Sequence, residues 1–189
     1  MVVIGVVDVD EKAVKIIRED LSGKGFAVNA VRGGEAGKPL HAYAANLASS
    51  YLLVYMNHDY TDLPYDVLLV NSLPKGFVFP SAPRFRTAVV NSDNCSGLPL
   101  KEAAGKVVWY GLSSKSDITA SSIESEFDYL KFTCCVQDEL PAICGKHTEI
   151  GEIPVEVSGD KTPISTGLAA LSVLLLCGVE FGGHEKILL

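Results

Sequence analysis

The sequence predicts an α/β protein with a mainly parallel sheet flanked by helices, and three observations carry that reading. The chain opens on an apolar strand, an acidic turn and a helical pattern, MVVIGVVDVDEKAVKIIREDLSGKG. Short continuous apolar runs follow at 66–71 (DVLLVN), 87–90 (TAVV) and 106–110 (KVVWY). Runs of that kind are expected of strands covered on both faces. Helical patterns and polar turns alternate with them, which favours parallel strands joined by right-handed crossovers. From residue 124 the character changes. Residues 127–136 and 153–157 are strand-like with few helical signals between, predicting a small antiparallel β unit near residues 124–158. Residues 167–178 then form a strongly apolar helix. We read a single domain: 1–121 as the parallel core, 122–158 as the β unit, and 159–189 as the closing helix and tail.

The first helix is the best specified element. Ala13, Val14, Ile16, Ile17 and Leu21 make an apolar face at helical spacing, with Lys15, Arg18 and Glu19 outside. Asp10 is the expected N-cap, and Gly23 or Gly25 the expected stop. Asp8, Asp10 and Glu11 complement the positive end of the helix dipole, and the same three charges would repel an anion bound there. Residues 26–31 read as a second strand, and Arg32-Gly33-Gly34 as a turn. Pro39 opens a predicted helix whose face is Leu40, Tyr43, Leu47 and Tyr51. Residues 52–56 are a strand or a helix end, residues 91–94 a polar turn, and residues 100–104 a short helix.

Composition narrows the partners. A chain of 189 residues can bury a full core. Its formal charge of −7 and the lack of a basic cluster argue against nucleic acid or an anionic membrane. The start has no basic region, and its apolar run breaks at Asp8, unlike a secretory signal. Residues 165–179 are apolar but too short and interrupted to span a bilayer. The five cysteines then read as free thiols in a reducing cytoplasm. Cys134, Cys135, Cys144 and His147 lack the spacing of a zinc site, and adjacent residues on a strand point to opposite faces. Buried thiols are the simpler reading. His41, His58 and His184 stand isolated among polar or turn residues, and Asp66 reads as a solvated or capping acid. No Gly-x-Ser-x-Gly elbow is present.

Taken in order, the pieces resemble the central ATP-binding domain of the Mur ligases and folylpolyglutamate synthetases. IGVVDVDEKAVKIIREDLSGKGF is similar to the family's strand, phosphate loop (IGVTGTNGKTT) and helix. DVLLVNS looks like the strand ending in a magnesium-linked Glu, and TAVVNSDN like the VVLNxDD turn. VVWYGLSSKSDITA and EIPVEVSG followed by GLAALSVLLLCGVEF resemble the later strands and the alanine-rich helix that close that domain. The resemblance implies a P-loop-NTPase-like fold, and Lys12, Asn91 and Asp93 match nucleotide-side positions of the family.

The departures from that pattern carry the functional expectation. A phosphate cradle needs glycines, a Lys and a Ser/Thr for magnesium. Against the family loop, Asp8 and Glu11 replace glycines, Asp10 replaces the Asn, and Ala13 replaces the magnesium-binding hydroxyl. Asn71 stands at the acidic metal position. The family's His/Asp-bearing segment and modified lysine have no counterpart, and DKTPIST at 160–166 lacks the Asn that touches the base. The flanking substrate domains are likewise not matched. One carboxylate about 4 Å from a phosphate charge costs about 4 kcal/mol at an effective dielectric near 20, or about a thousandfold in affinity. The expectation is therefore a degenerate, stand-alone copy with no catalytic residue, metal or cofactor, a pseudoenzyme of a cell-wall ligase family that binds a protein partner or a small molecule. Two alternatives remain. One is an ATP- and magnesium-dependent carboxylate–amine (amide, peptide) ligase completed by another chain. The other is an inactive receiver-like domain, with Asn71 at the phosphoacceptor position; it leaves residues 87–189 unexplained.

Overall fold

The computed structural model describes residues 1–8, 11–32, 48–56, 63–73, 75, 77, 83–95, 98, 100, 105–126, 129–145, 147–158, 162–181 and 185–188. Twelve strands and two helices lie in these residues. The strands are β1 (Val2–Val7), β2 (Val28–Arg32), β3 (Tyr51–Tyr55), β4 (Tyr65–Val70), β5 (Phe85–Asn91), β6 (Lys106–Tyr110), β7 (Ile118–Ser125), β8 (Tyr129–Val136), β9 (Leu140–Pro141), β10 (His147–Thr148), β11 (Gly151–Ser158) and β12 (Glu185–Leu188). The helices are α1 (Lys12–Gly23) and α2 (Ile164–Leu176).

Ten strands form one sheet in the order β12-β11-β8-β7-β6-β5-β4-β1-β3-β2, and β9 and β10 make a separate antiparallel ribbon. From β2 to β6 every pairing is parallel. Neighbourhood and direction of β1, β4, β5 and β6 are as the apolar runs predict. The antiparallel unit is no separate layer. β7 joins β6 in parallel through Tyr110 and Ile118, and β8 and β11 then add antiparallel to the same sheet. The tail contributes β12, parallel to β11.

Alternation along the central strands sends side chains to both faces. Ile4, Val6, Leu53, Val67, Leu69 and Val89 pack in one cluster with α1 and α2. Val3, Val7, Leu52, Leu68, Val70 and Val90 pack in a second, with Leu63, Phe85 and Leu100. Burial on two faces is why these strands read as unbroken apolar runs. At about 1.5–3 kcal/mol per buried large aliphatic side chain, this packing is the main favourable term of the fold.

Both helices end in Schellman motifs. In α1, Phe26 N donates to Leu21 O at 3.1 Å and Gly25 N to Ser22 O at 3.0 Å, with Gly25 at φ +85°. In α2, Val179 N donates to Leu174 O at 3.0 Å and Gly178 N to Leu175 O at 2.9 Å, with Gly178 at φ +78°. Only glycine enters that left-handed region at no steric cost. Residues Thr166 to Leu176 of α2 are all buried, as an all-round apolar helix demands.

Two expectations need correction. Tyr51 opens β3 and is not on a helix face, and residues 48–50 before it are not helical; residues 39–47 of the helix expected from Pro39 lie outside the described residues. The short helix at 100–104 lies outside them too, but for Leu100. The N-cap position of α1 belongs to Glu11, not Asp10, because the first helical residue is Lys12; Asp10 lies outside the described residues.

Candidate functional site

The carboxyl ends of β1, β4, β5 and β6 lie side by side, and the polar groups of interest gather there. β1 continues through α1 toward β2 on one side, while β4 lies on the other. The gap between β1 and β4 is therefore a topological switch point, where open parallel sheets hold ligands. Here this chain's own side chains span it. Asn71 Nδ2 donates to Asp8 Oδ1 at 3.0 Å, and Ser72 Oγ donates to the same oxygen at 2.8 Å. Asp8 and Asn71 are 63 residues apart and meet because β1 and β4 pair in parallel, with Asn71 N donating to Val7 O at 3.0 Å.

The network extends inward. Asn71 Oδ1 accepts from Tyr110 Oη at 2.7 Å and from Asn91 Nδ2 at 3.3 Å. Asn91 Oδ1 accepts from Asp93 N at 2.9 Å, and Asp93 Oδ2 accepts from Leu112 N at 2.9 Å. Asn71, Asn91 and Tyr110 are buried, Asn91 and Tyr110 completely. Buried polar groups have to be satisfied, and these satisfy one another. Gly111 allows the loops after β5 and β6 to meet: a Cβ there would come within 2.4 Å of Ser92 Oγ and 2.8 Å of Asp93 Oδ2.

Among the residues singled out from sequence, Asp8, Asn71, Asn91 and Asp93 thus belong to one connected set. Lys12 opens α1 beside it. Ala13 is fully buried on the core side of the helix. Glu11 is not a side-chain cap; its carboxylate pairs with Arg32 Nη2 on the surface. Its backbone is unusual, with φ 57° and ψ 4° in the left-handed region. Such a conformation favours glycine, the residue expected at that position of the family loop. Asp66 is a cap of a kind, for its Oδ2 accepts from Val3 N at 2.8 Å. Tyr110, Ser72 and Ser92 were not picked out from sequence. The available signal was their place at or just beyond the carboxyl ends of predicted parallel strands.

Burial pushes the Tyr110 hydroxyl well above its ordinary value, and the nearby Asp8 carboxylate pushes the same way. Burial also lifts the Cys95 thiol to about 11, again helped by Asp8. Cys134 and Cys177 reach about 12 by burial, so these thiols are poor nucleophiles at neutral pH. Cys134 is buried while Cys135 faces the other side of β8, as adjacent strand residues must. Among the described residues no three His, Cys, Asp or Glu side chains are placed to hold a metal.

Tyr110→Phe should cost about 1 kcal/mol at neutral pH, because Asn71 Oδ1 keeps Asn91 as donor. It should also change the alkaline limb. An unfolded tyrosine ionises near pH 10 while the folded hydroxyl holds its proton, so the unfolded state binds fewer protons above pH 10 and stability falls as pH rises. Urea unfolding from pH 8 to 11 should show a shallower fall in the variant than in the parent. Equal slopes would mean that Tyr110 is accessible to solvent.

Comparison with known proteins defines the class by fold. No protein-family model and no curated protein sequence matches the chain. Solved structures do. A UDP-N-acetylmuramoyl-L-alanyl-D-glutamate–2,6-diaminopimelate ligase superposes with a TM-score of 0.65 at 12% identity, over 95% of this chain and 43% of that one. MurF from Acinetobacter baumannii gives 0.64 at 14%, over 95% and 43%. MurF from Thermotoga maritima, solved with ADP, gives 0.61 at 14%, over 96% and 46%. The fold is that of a Mur-ligase-like α/β domain, and the chain spans less than half the length of these ligases. No helix among the described residues is long and apolar enough to cross a membrane.

Proposed function

We propose that this is a Mur-ligase-like module whose switch-point crevice has been converted from nucleotide chemistry to a plug of its own polar side chains, leaving a non-catalytic binding or regulatory role. The supporting observation is the Asp8–Asn71 hydrogen bond. The acid at a loop-glycine position and the amide at the metal-carboxylate position are complementary, so each substitution accommodates the other. Mg-ATP does not fit these residues. Phosphate would face the Asp8 carboxylate, and the carboxylate expected to hold magnesium is an amide already bonded on both ends. No step is routed through nucleotide or metal. A cytoplasmic location, a protein or small-molecule partner, and no nucleic acid or membrane partner complete the reading.

One observation favours the ligase alternative: Glu11 keeps a left-handed backbone immediately before Lys12, the geometry of a phosphate loop without its glycine. ATP and magnesium would enter only under that reading, with another chain supplying the remaining domains. The receiver-like alternative is weaker, since residues 85–188 supply six strands of the main sheet that it does not account for. Titration calorimetry with Mg-ATP near neutral pH decides. No binding tighter than about 1 mM is expected. A micromolar dissociation constant would overturn the plugged-crevice reading.

A further inference from the structure

Two thiols meet at the carboxyl end of α2. Cys177 directly follows the last helical residue, Leu176, and is buried. Cys144 stands exposed in the segment between β9 and β10. Ile143 N donates to Leu176 O at 2.7 Å, so the residues just before the two cysteines are hydrogen-bonded to each other. Gly145 N donates to Ala142 O at 3.1 Å and turns the chain at Cys144. Gly178 N donates to Leu175 O at 2.9 Å and fixes the turn after Cys177. A Cβ on residue 178 would come within 2.4 Å of Cys144 Sγ and 3.6 Å of Cys144 Cβ. The Cys144 thiol therefore lies against the backbone of the residue that follows Cys177.

The surroundings agree with that placement. Burial raises the Tyr51 hydroxyl to about 12, and charge on Cys177 and Cys144 pushes the same way, so one ring senses both sulfurs. No other pair among the five cysteines is held in this manner. Cys95 lies at the crevice, its Sγ 3.9 Å from Asn71 O. Cys134 and Cys135 point to opposite faces of β8, and Cys135 Sγ lies 3.5 Å from Ser121 Oγ. A disulfide requires two backbones held close, with Cα atoms no more than about 7 Å apart. The Ile143–Leu176 hydrogen bond and the packing on Gly178 hold them on both sides of Cys177.

We propose that Cys144 and Cys177 are a redox pair, which a low-molecular-weight disulfide oxidises to an internal bridge between the β9–β10 segment and the end of α2. The Cys144 thiol, being exposed, gives its proton to solvent and attacks one sulfur of the oxidant. A mixed disulfide forms on Cys144, and the first thiolate leaves and takes up a proton. Cys177 then loses its proton and attacks Cys144 Sγ, and the second thiolate leaves and is protonated in turn. Two cysteine thiols are oxidised and one small disulfide is reduced to two thiols. The second attack is the slow step, because burial lifts the Cys177 thiol to about 12, with charge on Asp66 and Cys144 adding to the effect. Cytosolic bridges of this kind are characteristically transient and redox-sensing. The proposal is independent of whether the switch-point crevice takes nucleotide.

The test is oxidation of the reduced full chain in native buffer with oxidised glutathione, quenched by acid and read by intact mass and non-reducing peptide mapping. One glutathionyl group should appear on Cys144 and then leave, giving a chain two hydrogens lighter in which the peptides of Cys144 and Cys177 are linked. Dithiothreitol should reverse the change. Cys144→Ser should abolish the linkage. Cys177→Ala should trap the adduct on Cys144, with a lifetime at least about tenfold longer than in the parent. In urea, where the two segments separate, pairing should scatter among the cysteines. A lasting adduct on Cys144 of the parent, linkage of Cys144 to another cysteine, linkage of the pair only in urea, or no reaction at Cys144 overturns the proposal. Should Cys177→Ala fail to fold by circular dichroism, the linkage map of the parent decides alone.

Discussion

Replacing Asn71 with leucine should lower the unfolding free energy by about 4 kcal/mol, among the largest single-residue effects available in this fold. Leucine has the same branched skeleton as asparagine and is no smaller, so the cost does not come from a cavity. It comes from orphaned partners. Tyr110 Oη, fully buried, loses its acceptor at 2.7 Å, and Asn91 Nδ2, also fully buried, loses its own at 3.3 Å. Each buried polar group left unpaired costs about 1–3 kcal/mol. Asp8 is less affected, because Ser72 still donates to it at 2.8 Å. Adding Tyr110→Phe to the leucine variant removes one orphan, so the double variant should be less destabilised than the sum of the two single changes. Urea unfolding of the parent, both single variants and the double variant measures this directly. A cost below about 1 kcal/mol for Asn71→Leu, or strict additivity, would show that the buried network does not act as a unit.

The parts of this molecule legible from sequence are those whose side chains alone decide the outcome. β1, β4 and β5 are buried on both faces, and their apolar runs say so. Elements held mainly by neighbours were harder to see. β7, ITASSIES, is exposed beyond Ala120, and its ladder with β8 holds it despite a polar sequence and an irregularity between Ser121 and Glu124. Tyr51 fell at helical spacing from earlier apolar residues, yet its short run YLLVY lies between β1 and β2 as a strand. At the crevice, Asp8 and Asn71 were legible as departures from a family pattern. That they bond each other was not, because the contact follows from the parallel pairing of β1 with β4 across 63 residues. Tyr110 was hidden for a different reason. An aromatic at a strand end reads as core, and its hydroxyl gains meaning only once Asn71 is known to face it.

Restoring a glycine-rich loop should bring back nucleotide binding without chemistry. The change is Asp8→Gly, Glu11→Gly and Ala13→Ser. Glu11→Gly removes a carboxylate and puts glycine where the backbone already has φ 57°, relieving strain of about 1 kcal/mol while losing only an exposed pair with Arg32. Asp8→Gly removes the charge facing the crevice and frees Asn71 Nδ2 and Ser72 Oγ, both donors suited to a phosphate oxygen. Serine is chosen at position 13 because Ala13 is fully buried, and threonine would overpack it at a cost of about 1–3 kcal/mol. The triple variant should bind Mg-ATP with a dissociation constant of about 100 µM or tighter, at least tenfold better than the parent. It should not hydrolyse it or form an acyl phosphate. Asn71 supplies no carboxylate for the metal, and residues that would orient acyl and amine substrates are not among those at the crevice, so no gain in effective molarity is available. Calorimetry reads the affinity and phosphate release reads the chemistry. If the variant remains folded by circular dichroism and still fails to bind, charge at this loop is not what excludes nucleotide, and the Asn71–Tyr110–Asn91 network beneath it becomes the barrier to test next.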